Sequence, residues 1–419
     1  MFKLLFDPKD RNFLKLWIAQ VISQFGDRVH QMALVGLAAK WSAGSTSTLA
    51  NLIAFTIIPV FVVQPFAGVF VDRWDRKATL FVCDIGRALL VLSIVLVFMN
   101  QDSRLPIYAV VFLSFCFSRF YVPAKMAVIP DLVASHNLLM ANSLFSMTGM
   151  VAFVLGASIG GFIVDWYGPR TGFLIDAVTF LCSALLLVSL DLTRKLKPSR
   201  EALHKARELV KEAPKSVFLE IKEGFLYLWT HRELRLVIDM LFAMLAAAGA
   251  VYVVMIVFIQ KSFNTVTKDL GVLAVCLGIG LLSGAVLYGK WGRSVSWYKA
   301  VFLSLLSGGI MIVAFAFVIK QYPSRPVAMA LAGLLGVIIG PIFIATNTIA
   351  HVVSDERMRG KVFSALEIVI HLAFLIAMLS SALLSRFIPE LWILCGAGAA
   401  IAAVGGLGLL KGDKFASIV

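Results

Sequence analysis

Apolar residues in this chain come in long runs instead of alternating with polar ones. Leu89–Met99, Val151–Val164 and Ile238–Ile259 hold few or no charges. A bilayer core of about 30 Å takes about 20 apolar helical residues per crossing. Continuous runs of that length predict membrane helices, whereas an outer-membrane barrel would alternate with a period of two. Twelve segments follow, over 13–39, 48–70, 78–98, 106–122, 141–163, 171–190, 235–259, 269–289, 297–319, 327–350, 361–384 and 391–410. Turn chemistry separates them at Ala43-Gly44-Ser45, Asn100-Gln101-Asp102, Tyr167-Gly168-Pro169 and Tyr322-Pro323-Ser324.

Composition agrees with this reading. Of 419 residues, 60% are hydrophobic and only 15% charged, against about 25% charged in soluble domains. A soluble enzyme, a secreted disulfide scaffold and a disordered chain are excluded. The five cysteines all lie in apolar runs with no CxxC pair, so they read as small buried hydrophobes and imply no metal site. Met1–Leu16 is charged and lacks a signal-peptide core, so the first segment reads as an uncleaved crossing.

The net charge of +14 invites a nucleic-acid reading. Position decides against it. Most of the 38 Lys and Arg fall in the connecting pieces on the N-terminal side of the membrane, including the long stretch 191–235. The positive-inside rule then places both termini in the cytoplasm of a multi-pass inner-membrane protein, with no nucleic-acid partner. The stretch between the sixth and seventh segments, 191–234, reads as a cytoplasmic linker. Its Phe218, Ile221, Phe225 and Leu228 form one amphipathic stripe suited to the inner leaflet. It separates a bundle over 1–190 from one over 235–419. Weak matches at similar offsets between the halves, such as Gly68 with Gly284 and Asp27 with Asp239, suggest duplication.

The strongest motif is Gly68-Val-Phe-Val-Asp72-Arg73-Trp-Asp-Arg76-Lys77, between the second and third segments. The glycine admits a close helix approach. The carboxylate and the basic groups suit a charge-assisted latch that breaks when the inner face opens. This stretch resembles the signature of the major facilitator superfamily, with Gly68, Asp72, Arg73, Arg76 and Lys77 all in place. Ile22–Asp27, Pro123-Ala124-Lys125 with Ile129–Leu132, Ala141-Asn142-Ser143 and Ser354–Phe363, which contains Arg359, resemble the drug:proton antiporter group of macrolide-efflux and enterobactin-export proteins. Pro123-Ala124-Lys125 and Ala141-Asn142 are also similar to lysophospholipid transporters. The resemblance implies an all-α integral membrane fold of twelve transmembrane helices in two pseudo-symmetric six-helix bundles. Gly156, Gly160 and Gly161 resemble the antiporter motif of segment five as helix-packing positions, although Ala157 replaces its proline. Arg119 stands where the superfamily often has a functional arginine, without the glycines that usually follow.

Ionisable groups inside crossings are costly and mark function by default. Asp27, followed by Arg28 and His30, ranks first as a proton-responsive carboxylate. Glu367 and His371, spaced i,i+4 in segment eleven, share a helix face and could pass a proton, since histidine titrates near neutral pH. Asp84 and Arg87, spaced i,i+3, read as self-neutralising; Asp176 and Asp239 are weaker candidates. Gly284–Lys290 has the spacing of a phosphate loop, but Trp291 stands where Ser or Thr must bind magnesium. Nucleotide binding is therefore not expected, and no cofactor or metal is implied.

The functional expectation is a secondary active transporter, exporting an amphipathic organic solute or drug against protons as a monomer among membrane lipids. A lysolipid substrate is the alternative within transport. A non-transporting receptor or assembly partner is the alternative outside it, and the in-span charges argue against that.

Overall fold

The computed structural model describes residues 11–100, 103–134, 137–190, 232–291, 296–352 and 359–410, with Glu223 and Leu226. Most of the expected linker 191–234, residues 353–358 and both chain ends lie outside these residues.

Everything described is helix or short connection. The elements are α1 Arg11–Trp41, α2 Thr46–Ile57, α3 Pro59–Val62, α4 Gln64–Val71, α5 Arg76–Leu96, α6 Leu105–Leu132, α7 Leu138–Tyr167, α8 Pro169–Val188, α9 Arg232–Phe263, α10 Lys268–Trp291, α11 Trp297–Gln321, α12 Arg325–Val352, α13 Arg359–Leu384 and α14 Glu390–Leu410. In lipid, a helix is the one open-ended structure that satisfies its own backbone. Among the described residues, ten helices are long and apolar enough to span a bilayer, and the bent pair Thr46–Val62 and Gln64–Val71 makes an eleventh. Helix α1 is long enough at 31 residues, but Gln20, Gln24, Asp27, Arg28, His30 and Gln31 make it too polar to pass by apolar composition.

Two departures from the sequence expectation have proline as their cause. Segment two was expected as one helix. It breaks into α2, α3 and α4 with a bend of 51°, because Pro59 and Pro65 each remove a backbone donor. Segment four was expected to end at 122, before Pro123. Helix α6 instead runs through Pro123 and Pro130 to Leu132, since membrane helices tolerate proline where neighbours satisfy the freed backbone groups. One consequence is that Lys125 is a buried helical residue.

The chain divides into two compact units, Met1–Leu37 with Leu52–Leu219, and Ala38–Asn51 with Glu220–Val419. Pairing inside each unit follows one scheme. In the second unit, α9 packs on α13, α10 on α12, and α11 on α14 and α12. In the first, α4 packs on α6, and α5 on both α8 and α6. Helix α1 packs on α7, where a Cβ built on Gly156 would lie 2.7 Å from Arg28 Cβ and one on Gly160 2.9 Å from Val29 Cα. First-with-fifth, second-with-fourth and third-with-sixth pairing thus occurs in both units, as duplicated halves require. The short stretch Ala38–Asn51 groups with the second unit through Ser47, whose hydroxyl donates to the Ala382 carbonyl at 3.1 Å and accepts from Arg386 Nε at 3.1 Å.

Candidate functional site

Helix α1 carries Asp27 sixteen residues from its start, about 24 Å along a helix of 1.5 Å rise per residue. That depth is near the middle of a crossing. Arg87 from α5 approaches it, with Nη1 3.7 Å from Asp27 Oδ1. The other face of Arg87 is ion-paired with Asp84, one turn back on α5. Asp84 accepts a further hydrogen bond from Ser183 Oγ of α8 at 2.6 Å. The guanidinium also lies 4.1 Å from the Phe180 ring centroid and 4.7 Å from that of Tyr121, a desolvated cation–π environment. Side-chain exposure is 3% for Arg87 and 0% for Asp84, but 42% for Asp27. One buried cation is therefore shared between a buried carboxylate and an accessible one.

The sequence identified the Asp84–Arg87 pair by spacing and Asp27 by depth, but not their union. No sequence interval relates residues 27 and 84, so only the packing of α1 against α5 joins them. The weaker candidate Asp176 also gains a partner: His30 Nδ1 donates to Asp176 Oδ2 at 2.7 Å, both groups being buried. Phe115 and Phe173 enclose the imidazole edge-on. His30 Nε2 and Asp176 Oδ1 are buried without a protein partner among the described residues.

The remaining predicted residues do not join this group. Arg28 donates to Gln31 Oε1 at 3.1 Å and stacks on Phe153 at 5.2 Å. Arg119 donates to Gln64 Oε1 on α4 at 3.1 Å. His371 Nδ1 donates to the backbone carbonyl of Glu367 at 2.8 Å. Both residues belong to the second unit. Gly156, Gly160 and Gly161 are buried in an unbroken α7. No cluster of His, Cys, Asp or Glu suits a metal among the described residues.

The basic motif has a distribution of roles that the sequence did not reveal. Asp75 caps α5, accepting from the Ala78 backbone N–H at 2.7 Å. Arg76 donates to Asp131 Oδ2 at 2.6 Å and to the Ala127 carbonyl at 2.8 Å, both near the end of α6. Lys77 donates to the Val188 and Leu190 carbonyls at the end of α8, at 2.7 and 2.5 Å, where the helix dipole favours a cation. The start of α5 is thereby tied to the ends of two helices. Asp72, expected as the anion of the latch, is exposed and makes no ion pair among the described residues, whereas Asp131 pairs with Arg76. Arg73 is likewise exposed. Gly68 was expected to admit a close helix approach, but a Cβ there would meet nothing within 4 Å. Arg359 begins α13, and its side chain lies outside what is described.

Known proteins agree with this architecture. BacE of Bacillus subtilis, by name a candidate bacilysin exporter, is 26% identical, with 81% of this chain and 82% of that protein aligned. The multidrug efflux pump Tap of Mycolicibacterium fortuitum is 25% identical over 75% of each chain. In fold, the chain is similar to a POT family transporter crystallised with 5-aminolevulinic acid, with a TM-score of 0.74, 11% identity, and 97% of this chain and 96% of that one covered. Residues 16–378 match the Major Facilitator Superfamily. With two duplicated helical units, charges held at mid-membrane depth and this match over most of its length, the chain belongs to the Major Facilitator Superfamily of transporters.

Proposed function

We propose that this transporter couples proton entry to the export of an amphipathic organic solute, by alternating access in the inner membrane with both termini cytoplasmic. The observation that carries this reading is Arg87 held between Asp84 and Asp27 with such unequal exposure. One guanidinium neutralises one carboxylate. Asp84 has the closer ion pair and the Ser183 hydroxyl, so it keeps its charge. Asp27 has the longer contact and the more exposed side chain, so it takes the proton. Protonation removes its hold on Arg87 and changes the α1–α5 contact, which links occupancy by a proton to helix position. Relatives named as an efflux pump and a candidate exporter support the direction. In this reading, residues 1–190 and 235–419 are the two rocking bundles, 191–234 joins them, and one chain is the working unit.

The test is pH-gradient-driven transport beside counterflow in proteoliposomes, with a panel of amphipathic drugs, siderophores and lysolipids. Asp27→Asn mimics the protonated form and keeps a hydrogen-bonding side chain. Uphill transport should be lost and counterflow should persist. Full gradient-driven transport by Asp27→Asn would move the coupling site elsewhere, first to Glu367.

A further inference from the structure

Lys125 is a buried charge that the coupling scheme leaves unused. Helix α6 carries it past Pro123 into the first unit, where the residue is 9% exposed. Its ammonium lies 5.7 Å from the centroid of the Phe145 ring on α7. Among the described residues it has neither a hydrogen bond nor an ion pair. Asp27 already faces Arg87. The other cations at this end of the unit are satisfied: Lys15 donates to the Ser189 carbonyl at 2.5 Å, Lys77 to two carbonyls and Arg76 to Asp131. A charge on a buried stem, with a ring face beside it and no paired anion among the described residues, is available to an anionic ligand. On either side of it along α6, Val122 and Met126 are half-exposed, so apolar surface flanks the charge.

We propose that Lys125 binds the anionic headgroup, a carboxylate or a phosphate, of an amphipathic substrate whose apolar part lies over Val122 and Met126. This rests on the chain being a transporter of amphipathic solutes, and it narrows that class to anions and zwitterions. The ammonium supplies the charge-assisted hydrogen bond, and Phe145 holds it in place while the site is empty.

Equilibrium binding in nanodiscs, without any gradient, tests this independently of proton coupling. The probes are N-octanoylglycine, its methyl ester, octyl phosphate and octyltrimethylammonium, each titrated into the full chain. The wild-type protein should bind at least one of the two anions about tenfold more tightly than the ester and the cation, about the worth of one charge-assisted hydrogen bond. Preference for octyl phosphate would identify a phospholipid-like headgroup, and preference for N-octanoylglycine an organic acid. Lys125→Gln should abolish the preference while leaving ester binding within twofold, and Lys125→Arg should restore it. A wild-type protein that binds ester and anions alike overturns the proposal without recourse to any variant, as does a folded Lys125→Gln that keeps the preference. Failure of Asp27→Asn to uncouple transport would leave this result standing.

Discussion

Removing Arg87 should destabilise the first unit through the charge it strands. Arg87→Gln leaves Asp84, fully buried, with Ser183 as its one remaining side-chain hydrogen-bond partner among the described residues. Breaking a buried pair from one side costs about 3–5 kcal/mol, and the lost stacking on Phe180 and Tyr121 adds about 0.5–2 kcal/mol. Asp84→Asn should cost less, because Arg87 can still turn to Asp27 across 3.7 Å. The double variant removes one buried charge of each sign. It should therefore be more stable than the sum of the single losses implies, by about 1–3 kcal/mol of coupling. The four proteins of this cycle can be compared by titrating SDS into mixed micelles and following helical circular dichroism. Single losses that add to within about 0.5 kcal/mol, or an Arg87→Gln variant as stable as the wild type, would refute the view of these groups as one electrostatic unit.

Two further outcomes follow from the packing and from the motif. In the second unit, a Cβ on Gly336 would overlap the Leu277 carbonyl oxygen across the α10–α12 crossing, whereas one on Gly396 would meet nothing within 4 Å. Gly336→Ala should cost about 1–3 kcal/mol or more, and Gly396→Ala should be neutral or slightly stabilising; thermal unfolding in detergent separates them. At the motif, Asp72 is exposed and unpaired among the described residues, so Asp72→Asn should change stability by no more than about 0.5 kcal/mol. If Asp72 joins a latch in another state of the cycle, turnover in proteoliposomes should nonetheless fall. Unchanged turnover would exclude Asp72 from any latch.

Hydrophobic run length alone was enough to read the class of this protein and most of its helix limits to within a few residues. It could do so because a helix in lipid satisfies its backbone locally, so the information for each crossing lies within some twenty consecutive residues. The candidate charge at Asp27 was legible for the same reason: a carboxylate at mid-membrane depth is conspicuous wherever it points. Proline was where local reading failed, since whether Pro59 breaks a helix or Pro123 is carried through one depends on the neighbours that receive the freed carbonyls. Partnerships were decided only by tertiary structure. Arg87 could be paired with Asp84 from their spacing, but its contact with Asp27, the His30–Asp176 bond, the pairing of Arg76 with Asp131 and the burial of Lys125 each join residues from different helices. Such contacts depend on how helices rotate and cross when small residues such as Gly156 and Gly160 let backbones meet, and no periodicity within a single helix encodes that.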